Sequence, residues 1–274
     1  MAANTKDTQI MNAKNLLFNI DHRGVATISL NRPERHNAFD DQLIAELTQV
    51  LEQVASDNQV RAVVLASEGK SFSAGADLHW MQRMAQYSFE ENLADASALG
   101  NLLRVLNFLP KPTIARVQGA AFGGAVGLVS CCDIAVASVR AKFCLSEVKI
   151  GIVPATISPY VIAAIGQRAA RRYFVTAEPF DAATAAQLGL VSKVVEESEL
   201  DAVVNRMLEQ LLANSPAAIC AAKKLVFEVA EQPIDDALIA RTSELIAGIR
   251  VSDEGQEGLS AFLEKRTPSW LRNK

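Results

Sequence analysis

Two loops of small residues and one carboxylate are the parts of this 274-residue chain whose types and spacing could do chemistry. The run Val117-Gln118-Gly119-Ala120-Ala121-Phe122-Gly123-Gly124-Ala125-Val126-Gly127 sits where an apolar strand should give way to an apolar helix. Glycines there let a main chain approach a ligand closely, and a helix N-terminus presents unpaired N–H groups. Earlier, Ser71-Phe72-Ser73-Ala74-Gly75-Ala76-Asp77-Leu78 offers a second loop of this kind between a strand and a helix. The two together could bracket one carbonyl oxygen and stabilise negative charge developing on it. Glu147, in an otherwise apolar stretch, is the candidate acid or base beside them. The residues alone leave plainer readings open: the glycines also suit close packing of helix on sheet, and Glu147 also suits a solvated helix position.

Other chemistries find little to work with. Gly69-Lys70-Ser71 looks like half a phosphate loop, but the first glycine of that motif would fall on Val64. The spacing of Gly119, Gly123, Gly124 and Gly127 is not that of a dinucleotide fingerprint. No nucleophile elbow or zinc-type His pair is present, and the three histidines, His22, His36 and His79, have no paired spacing, so no metal site is expected. Cys131, Cys132, Cys144 and Cys220 lack C-x-x-C spacing and read as core thiols of a reducing compartment. A net charge of -4 gives no global attraction to nucleic acid or anionic membranes, so any phosphate must be met locally. With 50% hydrophobic residues the chain can build a large core, and every long apolar stretch is interrupted by polar residues, so no membrane span is expected. Residues 1–15 have no apolar signal core and read as a loose leader; the protein is expected in the cytoplasm.

The elements that must position these groups follow from periodicity. Leu16 to Ile20 and the alternating Val25 to Leu30 predict a hairpin across a turn at 21–24, ended by Asn31-Arg32-Pro33. From Asp40, Leu43, Ile44, Leu47, Val50, Leu51 and Val54 recur at helical spacing. Ala62 to Ala66 and Thr113 to Val117 read as buried strands, each leading into one of the two loops, with a broken helical region over 78–109 between them. A helix over about 124–131 and a strand beginning at Ile134 come next. Such strand, loop, helix alternation predicts an α/β fold over 16–195, and residues 196–274 read as a helical module with helices over 200–212, 216–229, 234–249 and 254–265.

Asn31-Arg32-Pro33 with Asn37-Ala38-Phe39, the 72–78 loop, the 117–125 run, Cys132-Asp133-Ile134-Ala135, Glu147 with Gly151-Ile152-Val153-Pro154, and the closing Glu257-Gly258-Leu259 to Arg266 occur in order across the chain. This combination closely resembles the crotonase, or enoyl-CoA hydratase/isomerase, superfamily. The resemblance implies a superhelix of repeated ββα units with a C-terminal helical trimerisation region, assembled as a homotrimer or homohexamer. It implies acyl-CoA thioesters as ligands, with coenzyme A entering as part of the substrate and no separate cofactor. The N–H groups of Ala76 and Gly124 would form an oxyanion hole. His36, Ala38, Ala74, Ala76, Asp77 and Leu78, with Phe262 and Lys265 from a neighbouring subunit, would hold the CoA, Lys265 supplying local charge for phosphate.

The chain departs from the two-glutamate hydratases of that family, whose first glutamate aligns with Gly127. Glu147 matches the second, so the chemical burden falls on it. Pro154-Ala155-Thr156-Ile157-Ser158-Pro159 also replaces the usual glycine-rich loop. In these features the chain is most similar to bacterial methylglutaconyl-CoA and γ-carboxygeranoyl-CoA hydratases, which implies water addition to a branched, carboxylated enoyl-CoA. Glu147 would act as base toward water attacking C3 and then as acid toward C2. Burial against Val148 and Ile150 is expected to raise its pKa, and Gly127 is expected to free volume for the branched acyl group. The rival reading is a Δ3,Δ2-enoyl-CoA isomerase shuttling a proton through Glu147. From another class comes a non-catalytic acyl-CoA or RNA-binding protein, RNA being disfavoured by the acidic charge. Arg83 and Arg104 are candidates to meet a distal substrate carboxylate, with surface salt bridges as the alternative.

Overall fold

The computed structural model describes residues 15–271, so the leader expected over 1–15 lies, apart from Asn15, outside the described residues. A hairpin opens the fold: β1 (Leu16–Ile20) pairs antiparallel with β2 (Val25–Leu30). The Asp21 carboxylate closes its turn by accepting from the N–H groups of Arg23 and Val25 at 2.8 and 3.0 Å. The chain then lays down parallel strands β3 (Ala62–Ser67) and β4 (Thr113–Val117) beside β2.

Between β2 and β3 runs α1 (Asp41–Ser56), started by Asp40, whose side chain accepts from the Leu43 N–H at 2.8 Å. Its buried stripe is the six residues whose spacing predicted it. The broken helical region resolves into α2 (Leu78–Met84) and α3 (Phe89–Asn107), the latter begun by a Ser88–Glu91 capping box. Pro110 and Pro112 then lead into β4, and β5 (Ala121–Phe122) and α4 (Gly124–Cys131) follow it. Next come β6 (Ile134–Ser138), β7 (Lys142–Cys144), a 3-10 turn over Glu147–Ile150, and α5 (Ser158–Thr176). The strands β8 (Phe180–Asp181) and β9 (Lys193–Val195) flank α6 (Ala182–Gln187).

The main sheet has the order β1-β2-β3-β4-β6-β9, parallel from β2 onward. Because successive side chains point to opposite faces, β3 feeds two cores. Val63 and Leu65 join the large core under α1, α3, α4 and α5. Ala62, Val64 and Ala66 face the other way, against Leu200, Val203, Val204, Leu208 and Leu212 of α7 (Leu200–Leu212). Burial on both faces is why β3 reads as a continuous apolar run rather than an alternating one.

The last helices, α8 (Pro216–Val229), α9 (Asp236–Val251) and α10 (Asp253–Leu263), are each capped by a side chain, from Ser215, Asp235 and Ser252. They bury little: α8 has no fully buried residue, α9 only Leu238 and α10 only Ala261. Polar ties hold this region to the N-terminal ends of the strands. Lys223 reaches Asp133 at 2.8 Å and the Lys111 carbonyl at 3.1 Å, and Arg61 donates to the Asn214 carbonyl at 2.9 Å.

Candidate active site

A second, smaller sheet decides where the site lies. β5 pairs parallel with β7, Phe122 opposite Cys144, so both chains leave the sheet in the same direction. One leads to Gly123 and the other to Glu147. A parallel bridge between Ser73 and Ala121 brings the 73–76 loop out beside them. The Gly123 N–H donates to the Cys144 carbonyl at 2.8 Å, tying the glycine loop to the strand that precedes Glu147.

The three segments converge on Gly123. A Cβ placed there would stand 3.3 Å from Glu147 Oε1 and 3.9 Å from the Gly75 Cα. With φ 55° and ψ -124°, Gly123 also has a backbone that side-chain-bearing residues rarely adopt. It is the residue before α4, so the next N–H, that of Gly124, begins the helix and has no intrahelical acceptor. Among the described residues neither the Gly124 nor the Ala76 N–H has a hydrogen-bond partner. Two free donors on adjoining loops, with a carboxylate at the same point, can stabilise an oxyanion while moving a proton.

Glu147 begins the 3-10 turn, whose end at Gly151 adopts φ 81°. Its Oε2 is buried and makes no hydrogen bond among the described residues. Burial pushes the carboxyl above its ordinary range, against the pull of its own backbone N–H. The cause differs from the expectation in one respect: Ile150 is exposed and Val148 half-buried, so the cover comes in good part from the glycine loop packed against the carboxylate.

The 36–39 segment is clamped to the 74–77 loop. Ala74 N–H donates to the His36 carbonyl at 2.9 Å, Phe39 N–H to that of Gly75 at 2.7 Å, and Asp77 N–H to that of Phe39 at 2.6 Å. The Asp77 carboxylate accepts from the N–H groups of His79 and Trp80 and pairs with Arg32 at 3.2 Å and Arg35 at 3.1 Å. Burial alone would raise its pKa, but those N–H groups and guanidiniums outweigh it and hold the carboxyl below the usual range. The Asp77 side chain thus braces the loop, leaving its neighbours Ala74, Ala76 and Leu78 exposed along the rim. His36, exposed and in the left-handed region at φ 52°, lies with Nδ1 3.1 Å from Ser71 Oγ, and Ala38 is buried behind it.

Gly127 corrects an expectation. The volume in front of it is not free: a Cβ there would stand 2.4 Å from Ile157 Cγ2, 2.8 Å from Ile157 Cβ and 3.3 Å from Leu103 Cδ2. Ile157, 2% exposed, fills the space that the missing side chain would have taken. Arg32 and Ile157 lie within quoted motifs but were given no role there. The signal for Arg32 was its place beside Pro33 at a strand end, whereas nothing local marks Ile157 as the partner of a glycine thirty residues earlier.

Phe262 and Lys265 are not brought to Glu147 within one chain. Phe262 is 82% exposed at the end of α10, which packs against α8 and α9. The following turn is tied to the opposite end of the sheet, where the Trp270 indole donates to the Ala213 carbonyl at 3.2 Å. Arg83 pairs with Asp41, and Arg104 donates to Asn101 Oδ1 at 2.7 Å, both on the surface. No group of three or more His, Cys, Asp or Glu among the described residues could hold a metal, and no described helix is long and apolar enough to cross a membrane.

Comparison with known proteins gives the same direction. The chain matches the enoyl-CoA hydratase/isomerase family over residues 21–273. It is 49% identical to an enoyl-CoA hydratase from Shewanella pealeana, whose crystal structure aligns with a TM-score of 0.91 over 98% of this chain and 100% of that one. The short-chain-enoyl-CoA hydratase of Clostridium acetobutylicum is 33% identical, over 91% of this chain and 95% of its own length. The trans-2-decenoyl-(acyl-carrier-protein) isomerase of Streptococcus mutans is 30% identical, over 95% and 99%.

Proposed function

The chain belongs to the enoyl-CoA hydratase/isomerase family, and from that premise we propose that it adds water across the 2,3 double bond of an enoyl-CoA thioester with Glu147 as its single acid–base group. The observation that carries this reading is the Glu147 carboxylate, its Oε2 buried and unpartnered and its Oε1 against Gly123, the residue before the free Gly124 N–H. In the proposed reaction the Ala76 and Gly124 N–H groups hold the thioester oxygen. Glu147 takes a proton from water as the oxygen attacks C3, electrons move to the thioester oxygen to give the enolate, and Glu147 returns the proton to C2. Each oxyanion donor contributes on the order of 3 kcal/mol of transition-state stabilisation. A raised pKa suits a group that must be base and then acid in one cycle.

The segments carrying His36, Ala38, Ala74, Ala76, Asp77 and Leu78 are the proposed CoA site, with His36, Ala74, Ala76 and Leu78 exposed and Ala38 and Asp77 buried behind them. Phe262 and Lys265 would complete it from a second copy. A homotrimer or homohexamer is supported by the apolar residues left exposed on α8 to α10, among them Val226, Phe227, Ile239, Ile246 and Leu259. The branched, carboxylated acyl groups of the methylglutaconyl and γ-carboxygeranoyl type rest on sequence resemblance, and Ile157 removes the volume argument for the longer of them.

The isomerase reading is favoured by the lone carboxylate and by the Streptococcus relative. Turnover in water enriched in oxygen-18 separates the two. A hydratase places the label at C3 of a 3-hydroxyacyl product; hydrogen exchange at C2 and C4 with no label uptake would show an isomerase instead.

A further inference from the structure

Gly123 immediately precedes α4 and Gly127 lies one turn inside it. A Cβ on Gly123 would stand 3.3 Å from Glu147 Oε1 and one on Gly127 would stand 2.4 Å from Ile157 Cγ2, so the carboxylate lies at the start of α4 and Ile157 about one turn, or roughly 5.4 Å, along it. A thioester anchored at the Gly124 N–H and running past Glu147 therefore meets Ile157 within the length of a short acyl chain. We propose that Ile157 is a specificity-determining residue, the end wall of the acyl pocket, which limits the substrate to short acyl chains. The proposal rests on the acyl-CoA reading above and names the acyl class for that site.

The wall is fixed. Ile157 immediately precedes α5, its carbonyl accepts from the N–H groups of Tyr160 and Val161 at 3.2 and 3.1 Å, and Pro159 stiffens the first turn. Its neighbour Thr156 abuts α3, the methyl 3.6 Å from where a Cβ on Gly100 would stand, and Leu103 of the same helix closes the other side of Gly127. Ile157 and Gly127 are thus a matched pair, a branched side chain seated where a helix carries none. A longer acyl chain needs the volume the isoleucine holds.

Binding of the saturated, unreactive butyryl-, hexanoyl- and octanoyl-CoA tests this by calorimetry, independently of turnover. The wild-type protein is expected to prefer butyryl-CoA, and Ile157→Ala to raise the octanoyl-to-butyryl affinity ratio by about tenfold or more, the scale of one or two methylene groups gaining a pocket. Ile157→Val, which removes one methyl and keeps the fold, shifts the ratio less and in the same direction. An unchanged ratio in the folded variants overturns the end-wall assignment alone, and a wild-type protein that binds none of the three overturns the acyl-CoA reading beneath it.

Discussion

In the proposed reaction Glu147 is fitted for acid–base chemistry by where it is buried rather than by what surrounds it in sequence. A carboxyl whose charged form is disfavoured by burial stays protonated to higher pH than an exposed one. As the base toward water it must be ionised, so kcat/KM is expected to fall as pH drops through a value above the ordinary carboxylate pKa of about 4.3. The sign for stability is the reverse. A raised carboxyl pKa means the folded state holds the proton more tightly than the unfolded one, so this group's contribution is full below the unfolded pKa and is lost as pH rises through the folded one. Glu147→Gln should therefore melt at a higher temperature than the wild type at neutral pH. A kcat/KM profile whose acidic limb lies at the ordinary carboxylate value, with no gain in melting temperature, would contradict this. Glu147 was legible in the sequence as a candidate carboxylate; its cover was not, since Ile150 is exposed and the covering loop lies more than twenty residues away.

At the scale of elements, legibility followed length. The strands β1, β2 and β4 and the helices α4, α7 and α8 have the bounds their periodicity suggests, because each carries enough apolar residues to set a period. β5 and β8 have two residues each and can show no period, yet β5 aims Gly123 at the site. The helix α5 went unread because Gly166, at φ 74° and ψ 157°, breaks its pattern in the middle. Asp77 illustrates how an element is held in place. It caps α2 and shares the buried Arg32 guanidinium with Asp40. Asp77→Ala removes a cap worth about 1 kcal/mol and one of the two carboxylates paired with the buried Arg32 guanidinium, and breaking such a buried pair can cost about 3–5 kcal/mol. Denaturant unfolding should show destabilisation of about 3 kcal/mol, and Asp77→Asn, which keeps an acceptor for the cap, should cost less. A loss below about 1 kcal/mol for the alanine variant would mean that Asp40 alone suffices for Arg32.

At the scale of the molecule, the fold separates binding from reaction. The rim loops are the surface proposed for the thioester and the exposed apolar residues of α8 to α10 the surface proposed for other copies of the chain, while the Glu147 carboxylate is partly buried behind the rim loops. The net charge of -4 leaves any phosphate to local groups, Lys265 being the one proposed. A shared fold does not by itself carry a shared reaction, so the decisive comparison changes the carboxylate and nothing else. In Glu147→Gln, the assembly mass and the affinity for butyryl-CoA should match the wild type while kcat for enoyl-CoA hydration falls by about 10²–10⁴-fold. Turnover retained at the wild-type rate by a Glu147→Gln protein that still binds butyryl-CoA would contradict the account.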